Sequence, residues 1–276
     1  WQQYIDIETG EALPEEHGRC DNADKCGEWV KPKDTGYAKM IWEQERGNPW
    51  NLQNNWKPQS KKVITQPTAE PVFFDFNTFK QTLQADRYER NIFVQNLLKN
   101  VSYPFEVEDV TKVIQLYRLG TVSKGYRAGA TTLPFIDLNN NVRTIQVKQF
   151  DETNHTTGTD FLHSIIEKHH TRNNKPLPEW LEAYTKQDKR VSCLFGEHLL
   201  SKYPQNPVAL VEAPKTAIYG SLYFGLPETS ENLIWLAVYN KSSFSFNKLK
   251  ALKGRDVYVF PDLSKDGATF KEWETK

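Results

Sequence analysis

The sequence predicts an α/β protein with three parts: a small N-terminal module, a mixed α+β middle region and a C-terminal, Rossmann-like parallel sheet. Apolar runs and helical segments alternate between residues 208 and 260, as in parallel strands joined by helices. Two alternating segments, 133–136 and 143–149, flank a turn sequence typical of a hairpin. Residues 44–72 are rich in Pro, Gln and Asn without a sustained period, which predicts a linker.

Composition limits the class of protein. The 276 residues include 38% hydrophobic and 25% charged residues, which is typical of a folded, soluble chain. Thirty-five basic residues balance 35 acidic ones, which excludes a protein that coats nucleic acid indiscriminately, because such binding needs a surplus of Lys and Arg. The longest apolar run, 233–238, is too short for a bilayer, so we expect no membrane partner. Three cysteines cannot form a disulfide framework, which predicts a cytoplasmic location.

The zero net charge contains an asymmetry. Residues 1–29 carry eight acids and two bases, so the rest of the chain has an excess of basic residues. Two stretches, 110–136 and 241–255, contain no acid, and Lys124, Arg127 and Lys241 belong to them. Such stretches are either ordinary solvated surfaces or, where they converge on a cleft, phosphate-binding sites.

Helical and strand patterns alternate through the middle region. Apolar residues recur at helical spacing after Phe73, where Asn77 is expected to cap the first helix. The third helix is expected to end at Gly120, because glycine readily adopts the left-handed conformation that follows many helices. The expected helices cover residues 76–83, 92–98, 108–119, 161–169 and 179–185.

The C-terminal segment carries the most informative pattern. Its apolar runs cover residues 208–211, 233–238 and 257–260, and its helices 214–224 and 246–252. Pro214 stands at a favourable first helical position. Glu212 follows the first run and Asp262 the third, with Asp266 nearby. Ligands of parallel sheets bind beyond the carboxyl ends of the strands, so we expect these carboxylates to converge at one edge.

Two carboxylates at one edge of a sheet can hold Mg²⁺, which prefers hard oxygen ligands and retains several waters. Glu212 is also a candidate general base, and Lys215, in the first helical turn, could meet a phosphate or pair with Glu212. The alternative is structural. An acid is favoured at a helix N-terminus by the helix dipole, and Asp262 could simply end a strand.

A resemblance to a known family sharpens this interpretation. The sequence VALVEAPKTA, residues 208–217, precedes VFPD at 259–262, and together they resemble a Toprim domain, the catalytic fold of bacterial-type primases, topoisomerases and some nucleases. The segments YRLG at 117–120, LPFID at 133–137 and CLFGEHLL at 193–200 resemble the primase sequence that leads into that domain.

The group that is most similar consists of primase-like Toprim proteins from bacterial mobile elements, and the resemblance covers most of residues 1–40 and 73–276. It implies that 73–204 is a primase-like α+β region and 205–276 a Toprim domain. A Toprim sheet usually continues further, and the chain begins at Trp1 without Met, so we expect a piece trimmed at both ends.

The resemblance also assigns roles. Glu212 would be the acid/base or metal carboxylate, and Asp262 the first Asp of an Asp-x-Asp pattern. This sequence departs from the pattern, because Ser264 occupies the second position. Either Asp266 takes that role after a two-residue insertion, or the metal site is weakened.

The N-terminal module, residues 1–43, contains Cys20, Cys26 and His17, whose spacing suits structural Zn²⁺. A complete site needs four ligands, and three candidates are visible. The resembling proteins begin with a zinc ribbon whose first Cys-x-x-Cys would precede Trp1. The alternative is two cysteines without a metal.

Three functions follow as hypotheses. The first is a primase-like nucleotidyltransferase that serves the replication or transfer of a mobile element. Its partners would be a single-stranded DNA template, nucleotides and a helicase or other replication protein. In it, Glu212, Asp262 and Asp266 would hold Mg²⁺ or Mn²⁺. The basic residues expected to bind template or nucleotide are Lys215, Lys241, Lys124 and Arg127. The second is a degenerate Toprim adaptor that binds nucleic acid or protein, and the third is a Toprim nuclease.

Overall fold

The structure is a computed structural model with a mixed α/β fold. It describes residues 2–7, 9–20, 28–46, 71–186, 191–264 and 267–275. The chain divides into two compact units, Trp1–Thr68 and Ala69–Lys276. None of the helices in the described part of the chain combines the length and the apolar character that crossing a bilayer requires.

The first unit contains a small antiparallel sheet. Its strands are β1 (Gln2–Gln3), β2 (Gly18–Arg19) and β3 (Trp29–Val30), in the order β1-β2-β3, and helix α1 (Tyr37–Arg46) follows them. Trp29 Nε1 donates a hydrogen bond of 2.6 Å to the Tyr4 hydroxyl. Such short strands bury little apolar surface, so a unit of this size usually needs a further constraint such as a metal.

The second unit begins with helices and a four-stranded antiparallel sheet in the order β4-β5-β6-β7. The strands are β4 (Gly120–Thr121), β5 (Thr131–Ile136), β6 (Val142–Phe150) and β7 (Thr156–Phe161). The helices before the sheet are α2 (Phe76–Thr82), α3 (Ile92–Lys99) and α4 (Val107–Tyr117), and those after it are α5 (Leu162–Arg172), α6 (Glu179–Thr185) and α7 (Leu199–Lys202). The predicted hairpin is confirmed, since β5 and β6 pair antiparallel.

A three-stranded parallel sheet completes the second unit, with β8 between β10 and β9. The elements are β8 (Val208–Val211), α8 (Pro214–Phe224), β9 (Ile234–Ala237), α9 (Phe246–Leu249), β10 (Val257–Phe260) and α10 (Ala268–Glu274). Pro214 occupies the first turn of α8, where its missing N–H costs nothing. β8 and β9 are fully buried, whereas the edge strand β10 is largely exposed.

Hydrophobic cores lie on both faces of the antiparallel sheet. One cluster includes Ile145 and Val147 of β6, together with Leu162 of α5. The other includes Leu133 and Phe135 of β5, together with the strands of the parallel sheet. Because side chains alternate along a strand, the residues of β6 that alternate with Ile145 and Val147, such as Gln146, face the parallel sheet.

Three local predictions were wrong in detail. The third predicted helix ends at Tyr117, and Arg118, not Gly120, adopts the left-handed conformation after it, with a φ of 52°. Asp75, not Asn77, caps α2, because the Asp75 carboxylate accepts the Thr78 N–H at 2.7 Å. The predicted helix 246–252 is one α-turn followed by a 3₁₀ turn, Lys250–Leu252.

Candidate functional site

Two predicted carboxylates lie at the same edge of the parallel sheet. β8 and β10 pair in parallel with Val211 opposite Phe260, the last residues of the two strands. Glu212 is one residue beyond Val211, and Asp262 is two residues beyond Phe260. Both carboxylates influence the charge of the same third residue, Lys148 of β6. The edge therefore faces the antiparallel sheet.

Lys148 is the residue that sequence reasoning missed. Its half-buried ammonium has a lowered pKa because burial disfavours the charged form, and the nearby Lys215 ammonium acts in the same direction. Glu212 and Asp262 act in the opposite direction and favour the charged lysine. Two lysines and two carboxylates thus share one electrostatic environment.

Lys148 ends a polar row on β6, made of Thr144, Gln146 and Lys148, that faces the parallel sheet. Thr144 and Gln146 are almost fully buried, with relative exposures of 0% and 1%. Among the residues that the structure describes, neither the Thr144 Oγ1 nor the Gln146 Oε1 has a hydrogen-bond partner. Buried polar atoms normally find partners, so this row stands out from the apolar packing around it. Polar residues at alternate positions of an otherwise apolar strand are the signal that could have revealed it.

Tyr239 connects the two sheets beside this row. It follows β9 with a φ of 104°, which is unusual for a residue with a side chain. Its N–H donates to the Glu212 carbonyl at 3.1 Å, and its ring contacts Phe161 and Phe135 with centroid distances of 5.6 and 6.1 Å. These contacts fix the backbone at Glu212 relative to the antiparallel sheet.

Lys215 lies in the first turn of α8 and reaches the loop between β6 and β7. Its Nζ donates to the Asn154 carbonyl at 2.9 Å. The Asn154 side chain is held at both ends, since its oxygen accepts from Asn96 Nδ2 at 2.6 Å and its amide donates to the Tyr219 hydroxyl at 3.0 Å. The Lys215 amine is therefore held against the loop, three residues after Glu212 in the chain.

The other predicted basic residues have different surroundings. Arg127 pairs with Asp160 at 2.8 Å and donates to the Gln149 side chain at 3.0 Å. Lys124 is exposed on the same loop. Both lie on the face of the antiparallel sheet that carries α5, away from Glu212. The Lys241 backbone begins a 3₁₀ turn, Lys241–Ser243, and its side chain is outside the described residues.

The donor set at the edge matches a hard cation, because carboxylate oxygens are the ligands that Mg²⁺ prefers. Within the described ranges, no group of three or more His, Cys, Asp and Glu side chains is arranged to hold a metal. Asp266, the third predicted ligand, lies outside those ranges. Ser264 contributes to the start of α10 instead, since its hydroxyl accepts the Thr269 N–H at 3.2 Å.

The first unit holds the second candidate site. His17 is fully buried, and its Nε2 lies 2.7 Å from the Thr35 hydroxyl, which itself donates to the Pro32 carbonyl. Thr35 must therefore accept from Nε2, which leaves Nδ1 as an acceptor. That nitrogen has no hydrogen-bond partner in the part of the chain that the structure describes.

Cys20 is a half-buried free thiol. An imidazole acceptor and a thiol suit Zn²⁺. Cys26 lies outside the described residues.

Comparisons with known proteins address both units. Residues 1–40 match a family described as a zinc beta-ribbon finger, which agrees with the predicted N-terminal module. No curated protein and no solved structure matches the chain. A second family, described as a domain of unknown function, DUF6371, matches residues 91–263, a segment that contains Lys148, Glu212 and Asp262. Because this match covers more than half of the chain, the protein belongs to the DUF6371 family.

Proposed function

We propose that the protein is a metal-dependent, primase-like nucleotidyltransferase of the Toprim type that acts on DNA. The observation that carries this proposal is the placement of Glu212 and Asp262 at the ends of two adjacent parallel strands, facing Lys148. Carboxylates and lysines that converge beyond strand ends are suited to phosphate chemistry. The zinc-ribbon match adds a structural module at the N-terminus, in which His17 and Cys20 would hold zinc.

In this mechanism Glu212 and Asp262, with Asp266, would hold Mg²⁺ or Mn²⁺. The cation would neutralise charge on the nucleotide phosphates. Lys148 would bind the triphosphate, because a partly desolvated ammonium interacts strongly with anions. Lys215 would orient the same group from the start of α8. A primer 3′-hydroxyl would form a bond to the α-phosphorus as the bond to pyrophosphate breaks, and Glu212 would take the hydroxyl proton.

A second candidate function is supported by Ser264. In an Asp-x-Asp pattern this position holds a metal ligand, whereas here its hydroxyl receives the N–H of Thr269. Lys148 and Lys215 already balance the charges of Glu212 and Asp262. A site that is neutral without a metal is consistent with an adaptor that binds nucleic acid or protein.

Primer synthesis on single-stranded DNA with Mg²⁺ tests the first function. The variant Glu212→Gln removes the charge and keeps the shape, and we expect it to lower the rate by at least about 100-fold. Glu231→Gln is the matched control, because Glu231 is exposed and lies before β9, at the opposite end of the parallel strands.

The enzymatic proposal fails if the wild type, Glu212→Gln and Glu231→Gln give the same background signal. Calorimetric titration with Mg²⁺ or Mn²⁺ then separates the two functions. Heat of binding that disappears in Glu212→Gln supports a metal-dependent enzyme, whereas an adaptor need not bind a cation at this edge.

A further inference from the structure

A cavity of about 590 Å³ lies on the face of the antiparallel sheet opposite the carboxylates. It opens between α5 and the loop that joins β4 to β5. Its floor is apolar and is formed by Val122, Leu162 and Ile165. Nothing in the proposed catalytic mechanism uses this cavity.

The rim of the cavity is basic. Lys124, Lys168 and Arg172 line it together with His169, and all four are exposed. None of the lining residues in the described part of the chain is acidic. Glu167 lies two positions after Ile165, so helical geometry turns it by about 200° from the cavity. The rim is therefore a local concentration of positive charge in a chain with no net charge.

An aromatic ring stands at the mouth of the cavity. Tyr126 is 53% exposed, and its hydroxyl donates to Asp160 at 3.3 Å. The Arg127 guanidinium lies 4.8 Å from the ring centroid and also binds Asp160. These contacts hold the ring in place, and they neutralise Arg127, so Arg127 does not add to the charge of the rim.

We propose that this cavity binds single-stranded nucleic acid. An unpaired base enters the apolar cavity beside Tyr126, and flanking phosphates bind Lys124, Lys168 and Arg172. Aromatic rings beside positively charged side chains are the elements that bind single strands without reading their sequence. A paired base could not enter, because its faces are stacked within the duplex. A flat anionic membrane would meet the lysines but would leave the enclosed apolar floor unused.

This surface goes beyond the proposed catalytic site and does not depend on it. The two lie on opposite faces of the sheet, and binding at the cavity requires no metal. Fluorescence anisotropy with a labelled oligothymidine in buffer without Mg²⁺ or Mn²⁺ therefore measures strand binding that does not need the catalytic metal, and the variants below assign that binding to the cavity.

The first pair of variants tests the basic rim. Lys168→Glu/Arg172→Glu is expected to weaken binding by at least about tenfold at about 0.1 M salt, and to make the salt dependence less steep, because two phosphate contacts are lost. Lys99→Glu/Lys253→Glu is the matched control, since both lysines are exposed elsewhere and the change of net charge is the same. An equal loss in the control would overturn the proposal.

The second comparison tests the base. The wild type is expected to bind oligothymidine about tenfold more tightly than an abasic strand of equal length, because stacking contributes at each base. Tyr126→Leu should reduce this preference without unfolding the protein, since the ring is half-exposed. Equal binding of both strands by the wild type would overturn the proposal.

Two further outcomes are decisive. If Glu212→Gln abolishes binding without added Mg²⁺ or Mn²⁺, the strand lies at the carboxylate edge, and the cavity proposal is wrong while the catalytic one stands. Binding to phosphatidylserine vesicles without binding to the oligonucleotide would also overturn it. Loss of primer synthesis in Glu212→Gln with unchanged strand binding supports both proposals.

Discussion

Two adjacent buried residues, Glu197 and His198, have pKa values shifted in opposite directions by the same cause. Burial raises the pKa of Glu197 to about 7, although its carboxylate accepts the Leu194 N–H at 2.9 Å. Burial lowers the pKa of His198 to about 4, although its Nε2 lies 3.1 Å from the Leu116 carbonyl. Both side chains are therefore more stable uncharged in the folded protein.

The signs of the two effects on stability differ. Glu197 has a higher pKa in the folded state, so its contribution to stability is present below its ordinary pKa of 4.5 and is lost as the pH rises towards 7. His198 has a lower pKa in the folded state, so its contribution to stability is present above pH 6.5 and is lost as the pH falls towards 4. Between pH 4.5 and 6.5, stability therefore falls with rising pH because of Glu197 and rises with pH because of His198, and the two effects oppose each other.

The variant Glu197→Gln should reveal how the titration of His198 alone changes the stability of the protein with pH. Because the amide does not ionise and still accepts the Leu194 N–H, we expect the free energy of unfolding to rise by about 2 kcal/mol from about pH 4.5 to pH 6.5. The wild type should change much less over this range. Urea unfolding at several pH values measures it, and identical pH profiles for the two proteins would contradict the prediction.

Residues at the ends of strands could be predicted, and residues whose role depends on distant partners could not. Glu212 and Asp262 were placed from apolar runs alone, since a parallel sheet brings strand ends together. Arg127 looked like a free cation, because its partner Asp160 is 33 residues away. Lys148 was missed because its neighbours Glu212, Lys215 and Asp262 belong to another sheet.

At the scale of elements, the close approach of α8 to β9 depends on Gly220. A Cβ built at this position would lie 2.2 Å from the Trp235 ring. That ring is stacked between Phe224 and Phe260, with centroid distances of 5.5 and 5.6 Å. Phe260 belongs to β10, the strand that leads to Asp262, so the packing of Gly220 connects the helix to the candidate site.

The variant Gly220→Ala is expected to destabilise the protein by about 1–3 kcal/mol, since the stacked Trp235 ring has little room to move. An alanine in the middle of an ordinary helix would instead be stabilising by roughly 0.5–1 kcal/mol. Thermal unfolding measures the difference.

Ser221→Ala tests the same helix without adding bulk, and it removes the contact of 2.7 Å with the buried Tyr117 hydroxyl. A stabilised Gly220→Ala variant would contradict the prediction.

Elements with a strong period could be predicted closely. The sequence placed a helix at 214–224, which is the range of α8, because Pro214 begins it and glycine follows it. Short elements were less certain. The segment after Ser245 changes from α to 3₁₀ geometry within one turn, and apolar periodicity cannot distinguish these over so few residues.

At the scale of the whole molecule, the two units differ in how they are stabilised. Both hydrophobic clusters lie in the second unit, from Phe74 to Trp273. The first unit has two-residue strands and the buried His17, whose Nδ1 accepts no hydrogen bond in the described part of the chain. We therefore expect the first unit to depend on zinc and the second to fold on its own core.

Two cysteine variants of the full chain separate these contributions. Cys20→Ser should lower the zinc content measured by mass spectrometry, and the unfolding transition of the first unit should occur at a lower temperature.

Cys193→Ser is the reciprocal control. Cys193 is 3% exposed within the large core cluster, and burial raises the pKa of its thiol, so it behaves as a small apolar residue. Its replacement by a hydroxyl should cost about 1–3 kcal/mol in the second unit and leave the zinc content unchanged. Chelation with EDTA should reproduce the effect of Cys20→Ser alone. Equal zinc content in both variants, or a shift of both transitions on chelation, would show that zinc does not stabilise the first unit independently.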